Sequence, residues 1–238
     1  MSKLRVLGID EAGRGPVLGP LVMCGFLVDE AKLATLKNWG VRDSKKVSPK
    51  RRSFFYQKLK KLADDYAVIK LTAMDIDRMR TSTNLNKIEI KHMQDIVNAL
   101  KPDKIIIDAI EANAKKFREL ILKGLNEELK ERIKNGTCEL ICENYADANY
   151  PIVGAASIIA KVIRDAEVRK LQQKYPEYGD FGSGYPSDPK TIAFLKKWLE
   201  KNKEMPYFVR RSWITAKELV KSARAKREQK GLKEFTHW

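Results

Sequence analysis

The chain has 238 residues, 43% of them apolar, and a net charge of +16 at pH 7. That length suits one large domain, or one with a small appendage, and the apolar content excludes both a disulfide-stapled mini-protein and a disordered chain. The longest apolar runs, 17–28 and 150–160, are too short or too interrupted to span a bilayer, and Met1-Ser2-Lys3-Leu4-Arg5 meets Asp10-Glu11 too soon for a secretory signal.

Two strands are predicted first, over 3–9 and 17–28, with a link short enough to make them an antiparallel hairpin. A short helix over 30–38 follows. Ser48-Pro49 reads as a helix start, Ser as N-cap and Pro at the first helical position. That helix runs to about Asp65, with Phe54, Phe55, Leu59 and Leu62 as its apolar stripe. A strand over 66–73, an amphipathic helix over 86–100 and a buried strand over 104–110 come next. Residues 114–134 read as one long polar helix and 137–143 as a strand. Residues 152–174 read as an apolar helix. Its first half, with Gly154, Ala155, Ala156, Ser157 and Ala160, is small enough for close approach to a sheet. The Gly-, Pro- and Asp-rich stretch 175–189 reads as a linker. Helices from Asp188-Pro189 to about Lys201 and over 215–229 complete the chain. The order of elements implies an α/β core with a helical appendage.

Basic charge is uneven. Residues 42–61 hold nine Lys and Arg against one acid, Asp43, and 217–235 hold seven against three acids. Such clustering points to a polyanion, nucleic acid above all. The competing reading is a lysine-rich thermostable surface, but there the acids would keep pace. Three cysteines with no CxxC pair indicate a reducing compartment, so a cytoplasmic location is expected. Two histidines, His92 and His237, leave almost no material for a zinc site. A bound metal would be a hard cation on carboxylates, Mg²⁺ or Mn²⁺.

The chemistry concentrates in a few acids. Asp10 and Glu11 end an apolar strand in Gly8-Ile9-Asp10-Glu11-Ala12-Gly13-Arg14-Gly15-Pro16. A regular strand sends them to opposite faces, so one shared site needs a bend, which Gly13 and Gly15 permit. A hairpin turn with solvated acids is the competing reading. The glycine spacing, followed by a strand, excludes a dinucleotide fingerprint. Asp108 lies in an apolar strand, where an ionised carboxylate is costly unless paired, hydrogen-bonded or metal-bound; a strand-end cap is the alternative. Asp147 follows a strand, and helix capping would also explain it. Ser157, Lys161 and Asp165 share one helix face, and Lys161–Asp165 reads equally as a plain ion pair. Together the four acids suggest phosphoryl transfer, with two divalent cations cancelling their charge, activating a water and stabilising a leaving 3′-oxygen.

These residues carry a resemblance. The segment 8–16 with Gly19-Pro20, Asp43-Ser44-Lys45-Lys46, the strand ending in Asp108, Ala146-Asp147, residues 155–165, residues 182–188 and Arg211-Ser212-Trp213 together resemble ribonuclease HII over about 4–215, most like its archaeal branch. The resemblance implies an RNase H-like α/β fold: a mixed sheet flanked by helices in a catalytic domain, 1–185, and a C-terminal helical subdomain with a basic tail, 186–238. It implies cleavage of RNA in RNA/DNA hybrids and incision 5′ of ribonucleotides embedded in duplex DNA. The products would carry 3′-hydroxyl and 5′-phosphate ends, the reaction would use two Mg²⁺ or Mn²⁺ ions, and the roles would lie in ribonucleotide and RNA primer removal.

By position, Asp10, Glu11, Asp108 and Asp147 match the family's metal-binding carboxylates. The interval from Asp108 to Asp147 is long, with the helix over 114–134 absorbing the excess. Asp165 is the rival for the fourth place and is otherwise kept, with Ser157, as a supporting or structural residue. Gly13, Arg14 and Gly15 match the motif that senses the ribose 2′-hydroxyl, the group that separates RNA from DNA. Tyr185 matches the aromatic that stacks on the neighbouring deoxyribose. Ser44, Lys45, Lys46 and Lys161 would contact phosphates. A monomer with no membrane partner is expected. A sliding clamp is a possible further partner, although 229–238 hold no convincing motif for one. The rival readings are another carboxylate nuclease or strand transferase of the same fold, and a non-catalytic nucleic-acid-binding module.

Overall fold

The computed structural model describes residues 4–41 and 48–235. The expected hairpin forms: β1 (Arg5–Ala12) pairs antiparallel with β2 (Leu21–Asp29), from Arg5↔Asp29 to Ala12↔Val22. With β3 (Asp65–Leu71), β4 (Lys104–Asp108) and β5 (Glu139–Glu143) they make a five-stranded sheet of order β3-β2-β1-β4-β5. β4 runs parallel to both β1 and β5. The sheet is therefore mixed, as expected, and its central strands are apolar almost throughout because both faces are covered.

Helices supply the cover. α4 (Leu85–Leu100) packs on β2 and α5 (Ala114–Lys123) on β5. α1 (Leu33–Asn38), α2 (Pro49–Leu62) and α8 (Pro151–Lys174) contribute Leu36, Phe55, Leu59, Ile152, Ala155 and Ile159 to one core with Val6, Val22, Phe26 and Ile106. The small residues of α8 do allow close approach. A Cβ on Gly8 of β1 would lie 2.5 Å from the Ile152 carbonyl oxygen, so the strand and the helix backbone are in direct contact there.

Several expectations are corrected. α2 starts as foreseen, with Ser48 Oγ accepting from the Arg51 N–H at 3.3 Å, but stops at Leu62 because Asp65 already belongs to β3. Phe54 is not part of its apolar stripe and stands 59% exposed. The single helix over 114–134 is two: α5 ends at Gly124, and α6 (Glu127–Lys134) restarts at Asn126, whose side chain accepts from the Leu129 N–H. β4 ends at Asp108 rather than 110. Two helices come unannounced. α3 (Ala73–Met79) opens with a Thr72/Asp75 capping box, and α7 (Ala146–Asn149) is one short turn. α9 (Pro189–Lys201) starts where foreseen, and α10 (Ile214–Phe235) outruns its expected 215–229.

The chain divides into two compact units, one of Met1–Ala12, Leu21–Lys70 and Thr83–Asp165, the other of Gly13–Pro20, Leu71–Ser82 and Ala166–Trp238. This differs from a break at 185/186. Val17 and Leu18 join the second unit's own core with Val168, Phe181, Phe194, Leu195, Phe208 and Val209, and Leu18 bridges Val209 as a strand pair. Burying those two side chains brings 13–20 into the helical unit. Among the described residues, no helix is long and apolar enough to cross a membrane.

Candidate active site

In the first unit, strand alternation turns Gly8 and Asp10 of β1 toward α8. Gly8 meets the helix backbone, and one step on, Asp10 is hydrogen-bonded by the Ser157 hydroxyl. Asp10 Oδ1 also accepts the Glu11 N–H at 2.7 Å. The parallel register Ile9↔Ile107, carried one residue further, sets Asp108 beside Asp10. Asp108 Oδ1 accepts the Ala146 N–H at 2.8 Å, so the end of β4 is tied to the first residue of α7. Asp147, next in α7, is buried. The turn before it is pinned by Asn144, whose Nδ2 donates to the carbonyls of Ala109 at 3.2 Å and Glu111 at 2.8 Å.

The acids are felt at Asp10. Its carboxyl is raised well above its ordinary 3.8, first by burial and then by the charge of Glu11, with Asp108 adding to the rise; the Ser157 hydroxyl and the Glu11 N–H work against it. The bend expected at Asp10-Glu11 is absent. β1 stays paired to Ala12↔Val22, yet the charge of Glu11 acts strongly on Asp10, so the two acids lie close to one another without that bend.

Asp165 has different company. It pairs with Lys161 at 2.9 Å, Arg164 at 3.3 Å and Arg52 at 3.8 Å, and both arginines are buried. Eight residues beyond Ser157, it lies about 12 Å further along α8 by helical rise. Asp165 is thus the hub of a cationic cluster, and the ion pair read from the sequence is present. Ser44, Lys45 and Lys46 lie outside the described residues.

The donors suit a hard divalent cation, being carboxylate oxygens whose mutual repulsion such an ion would relieve. Among the described residues, no three Asp, Glu, His or Cys side chains converge tightly enough to hold an ion alone. Magnesium is usually bound through one or two carboxylates, completed by waters and substrate phosphates, so the acids fit that mode rather than an all-protein cage.

In the second unit, residues 13–15 form a loop that starts at Gly13 with φ 89°. The ring of Tyr185, 41% exposed, lies against Gly15, where a Cβ would stand 3.1 Å from it. The Val17 N–H donates to the Gly184 carbonyl at 2.8 Å, anchoring the Tyr185 turn to the same loop. Behind the loop sits a residue that sequence reading passed over. Arg210 is fully buried and donates to the carbonyls of Gly13 at 2.5 Å, Arg14 at 2.8 Å and Gly19 at 3.2 Å. Its only signal in the sequence is its position just before Arg211-Ser212-Trp213.

The sequence model of the Ribonuclease HII family matches residues 7–216. The chain belongs to the ribonuclease HII family. It is a hydrolase, an endoribonuclease of the ribonuclease H type, in a family that acts on RNA/DNA hybrids and depends on a divalent metal. Among its relatives, the ribonuclease HII of Pyrococcus furiosus is 41% identical over 98% of each chain. The crystal structure of the ribonuclease H2 from Pyrococcus horikoshii OT3 superposes with a TM-score of 0.83, at 41% identity, over 93% of this chain and 99% of that one. A PCNA:RNase HII complex from Archaeoglobus fulgidus contains a chain 35% identical, with a TM-score of 0.76 over 88% of this chain and 95% of that one. The expected RNase H-like fold and the likeness to the archaeal branch of the ribonuclease HII family are both borne out.

Proposed function

We propose that the chain cleaves the RNA strand of RNA/DNA hybrids and nicks duplex DNA on the 5′ side of an embedded ribonucleotide, in the service of ribonucleotide and RNA primer removal. The observation that carries this reading is the placing of Asp10 and Asp108 side by side at adjoining parallel strands, with Glu11 next in β1 and Asp108 tied to the turn that holds Asp147, in a chain of this family. Asp10, Glu11, Asp108 and Asp147 would hold two divalent ions, Mg²⁺ or Mn²⁺. When bound, these supply an activated water and stabilise the leaving oxygen. The chain's own task is to keep the acids in place. Ser157 and the Glu11 N–H hold the Asp10 carboxylate, and the Ala146 N–H holds that of Asp108. Water adds to phosphorus as the bond to the 3′-oxygen breaks, and that oxygen leaves with a proton, giving 3′-hydroxyl and 5′-phosphate ends.

Substrate choice falls to the second unit. Gly13, Arg14 and Gly15 bring backbone and a guanidinium to the ribose 2′-hydroxyl and its phosphate, and Tyr185 offers an exposed ring face to the adjoining sugar. Lys161, a third exposed beside Asp165, is assigned to a phosphate, as are Ser44, Lys45 and Lys46. The test is a DNA duplex with one ribonucleotide, incubated with Mg²⁺ or Mn²⁺. A nick 5′ of the ribose is expected, with an all-DNA duplex untouched and EDTA abolishing the reaction. An intact ribonucleotide duplex overturns the proposal. Asp108→Asn should abolish cleavage yet keep hybrid binding, whereas loss of binding with loss of fold would make Asp108 structural.

A second reading concerns a partner. The Archaeoglobus relative was solved with PCNA, and a clamp of that kind is proposed as a partner of this chain. Co-elution of the full chain with a clamp is the expected result, and separate elution of the two proteins overturns it.

A further inference from the structure

We propose that Arg210 and Trp213 are positioning residues that hold the Gly13-Arg14-Gly15 loop in the conformation that reads a ribose. The proposal rests on the reading in which that loop meets the 2′-hydroxyl. A buried guanidinium is costly unless its N–H groups find acceptors, and it offers five in a rigid planar fork. Arg210 directs them to the carbonyls of Gly13, Arg14 and Gly19, while its own backbone N–H donates to the Val17 carbonyl at 2.9 Å. Trp213 takes the next carbonyl in line, with Nε1 donating to Gly15 at 3.3 Å. Three successive carbonyls, 13 to 15, are thereby held toward one segment.

Peptide planarity makes this consequential. In a trans peptide the carbonyl of one residue and the N–H of the next point in opposite directions. Fixing the Gly13 and Arg14 carbonyls toward Arg210 therefore turns the N–H groups of Arg14 and Gly15 away from it. Those N–H groups are donors, suited to the oxygen of a ribose hydroxyl or of a phosphate.

The holding segment is itself held. The Asp77 carboxylate of α3 accepts the N–H of Arg211 at 2.7 Å and of Ser212 at 3.0 Å. Arg80 donates to Ser212 Oγ at 3.2 Å. The guanidinium groups of Arg80 and Arg210 lie 4.7 and 4.9 Å from the centre of the Trp213 ring, within cation–π range. The motif Arg211-Ser212-Trp213 thus gains a task that the cleavage chemistry leaves unassigned. A site is only as well placed as the shell that supports it.

The experiment compares the parent with Trp213→Phe and Arg210→Lys. Phe keeps the ring and loses one hydrogen bond to the loop. Lys keeps the charge but cannot span three carbonyls. Cleavage is measured on a duplex with one ribonucleotide and on the same duplex with a 2′-fluoro sugar at that position, alongside melting temperature. The parent should cut the ribose duplex much faster. In Trp213→Phe, kcat on the ribose duplex should fall about tenfold, the worth of one hydrogen bond, with KM within about twofold and the ribose-to-fluoro ratio reduced. Arg210→Lys should lose more of that ratio. Equal slowing on both substrates would mean a general structural role and overturn the proposal, as would a ratio unchanged from the parent. If Arg210→Lys fails to fold, Trp213→Phe decides alone. A parent that does not discriminate between the two sugars would overturn the reading of the loop itself, a different result from a discriminating parent matched by its variants.

Discussion

At Asp10 the chain keeps an acid where burial and the charges of Glu11 and Asp108 all oppose ionisation. The sign of the effect on stability follows from linkage. A carboxyl whose folded value lies above its unfolded value binds its proton more tightly when folded. Stability is then highest below the unfolded value, about pH 4, and falls as pH rises through the folded one. Asp10→Asn removes the charge while its side-chain oxygen can still accept from Ser157. In chelator at neutral pH the variant should melt a few degrees above the parent, each kcal/mol relieved raising the midpoint by about 2–4 °C for a chain of this size. The gap should close below pH 4, and Mg²⁺ should raise the parent's midpoint more than the variant's. Cleavage should be lost. Melting curves from pH 3 to 8, with and without the ion, check this; a variant no more stable than the parent at pH 7 would contradict it. Asp10 and Asp108 were visible in the sequence because each directly follows a run of buried apolar strand residues, where a charge needs a reason. Arg210 was not. Among 47 Lys and Arg nothing local marks the one whose guanidinium faces carbonyls 191 to 197 residues away in the chain.

β1 and α8 set the distance across which Asp10 meets Ser157, and Gly8 sets the contact between them. A Cβ there would stand 2.5 to 2.7 Å from the carbonyl and following nitrogen at Ile152 and Val153. Those are backbone atoms of a helix turn packed in the core, so they cannot swing aside as a side-chain tip would. Gly8→Ala should therefore destabilise the fold by about 1–3 kcal/mol, the usual cost of overpacking. It should also slow cleavage by moving Ser157 off Asp10. Urea unfolding and kcat on the ribonucleotide duplex check the two effects, and a variant with parental values in both would show that the helix gives way freely. At this scale the sequence was legible wherever a cap or a period was local: the β1–β2 hairpin, Ser48 before α2 and Asp188 before α9. It failed where long-range contacts decide. Gly124 breaks the run between α5 and α6 because the Gln94 side chain of α4 fills the place of its Cβ, and the Asn126 N–H turns to Asn98 of the same helix. The turn α7 exists because Asp108 and Asn144 anchor its start to the end of β4.

The net charge of +16 belongs to the whole molecule, and its described part is not all free to meet a substrate. Arg52 and Arg164 are buried around Asp165, and Arg210 is spent on the loop carbonyls. Composition alone could not separate these from the cations that face water, because both count equally toward the total. On α2, Lys50, Lys58, Lys60 and Lys61 are exposed, with Lys58 4.7 Å from the Trp39 ring and 5.1 Å from that of Phe54. A row of exposed cations interleaved with rings is suited to a phosphate backbone. Each phosphate neutralised releases counterions, so the logarithm of affinity should fall linearly with the logarithm of salt, by about 0.9 per contact on a DNA-like duplex. Binding is best measured with the Asp108→Asn protein, which should hold the hybrid without cutting it. Changing Lys50, Lys58, Lys60 and Lys61 together to Gln should lower the slope by about 0.9 for every lysine that meets a phosphate, weaken binding at low salt and leave the two proteins more alike at high salt. In the active chain the same four changes should raise KM and spare kcat, since none of these lysines belongs to the carboxylate cluster. A slope unchanged by the four substitutions would take α2 out of the nucleic-acid interface and leave the substrate to the remaining basic surface.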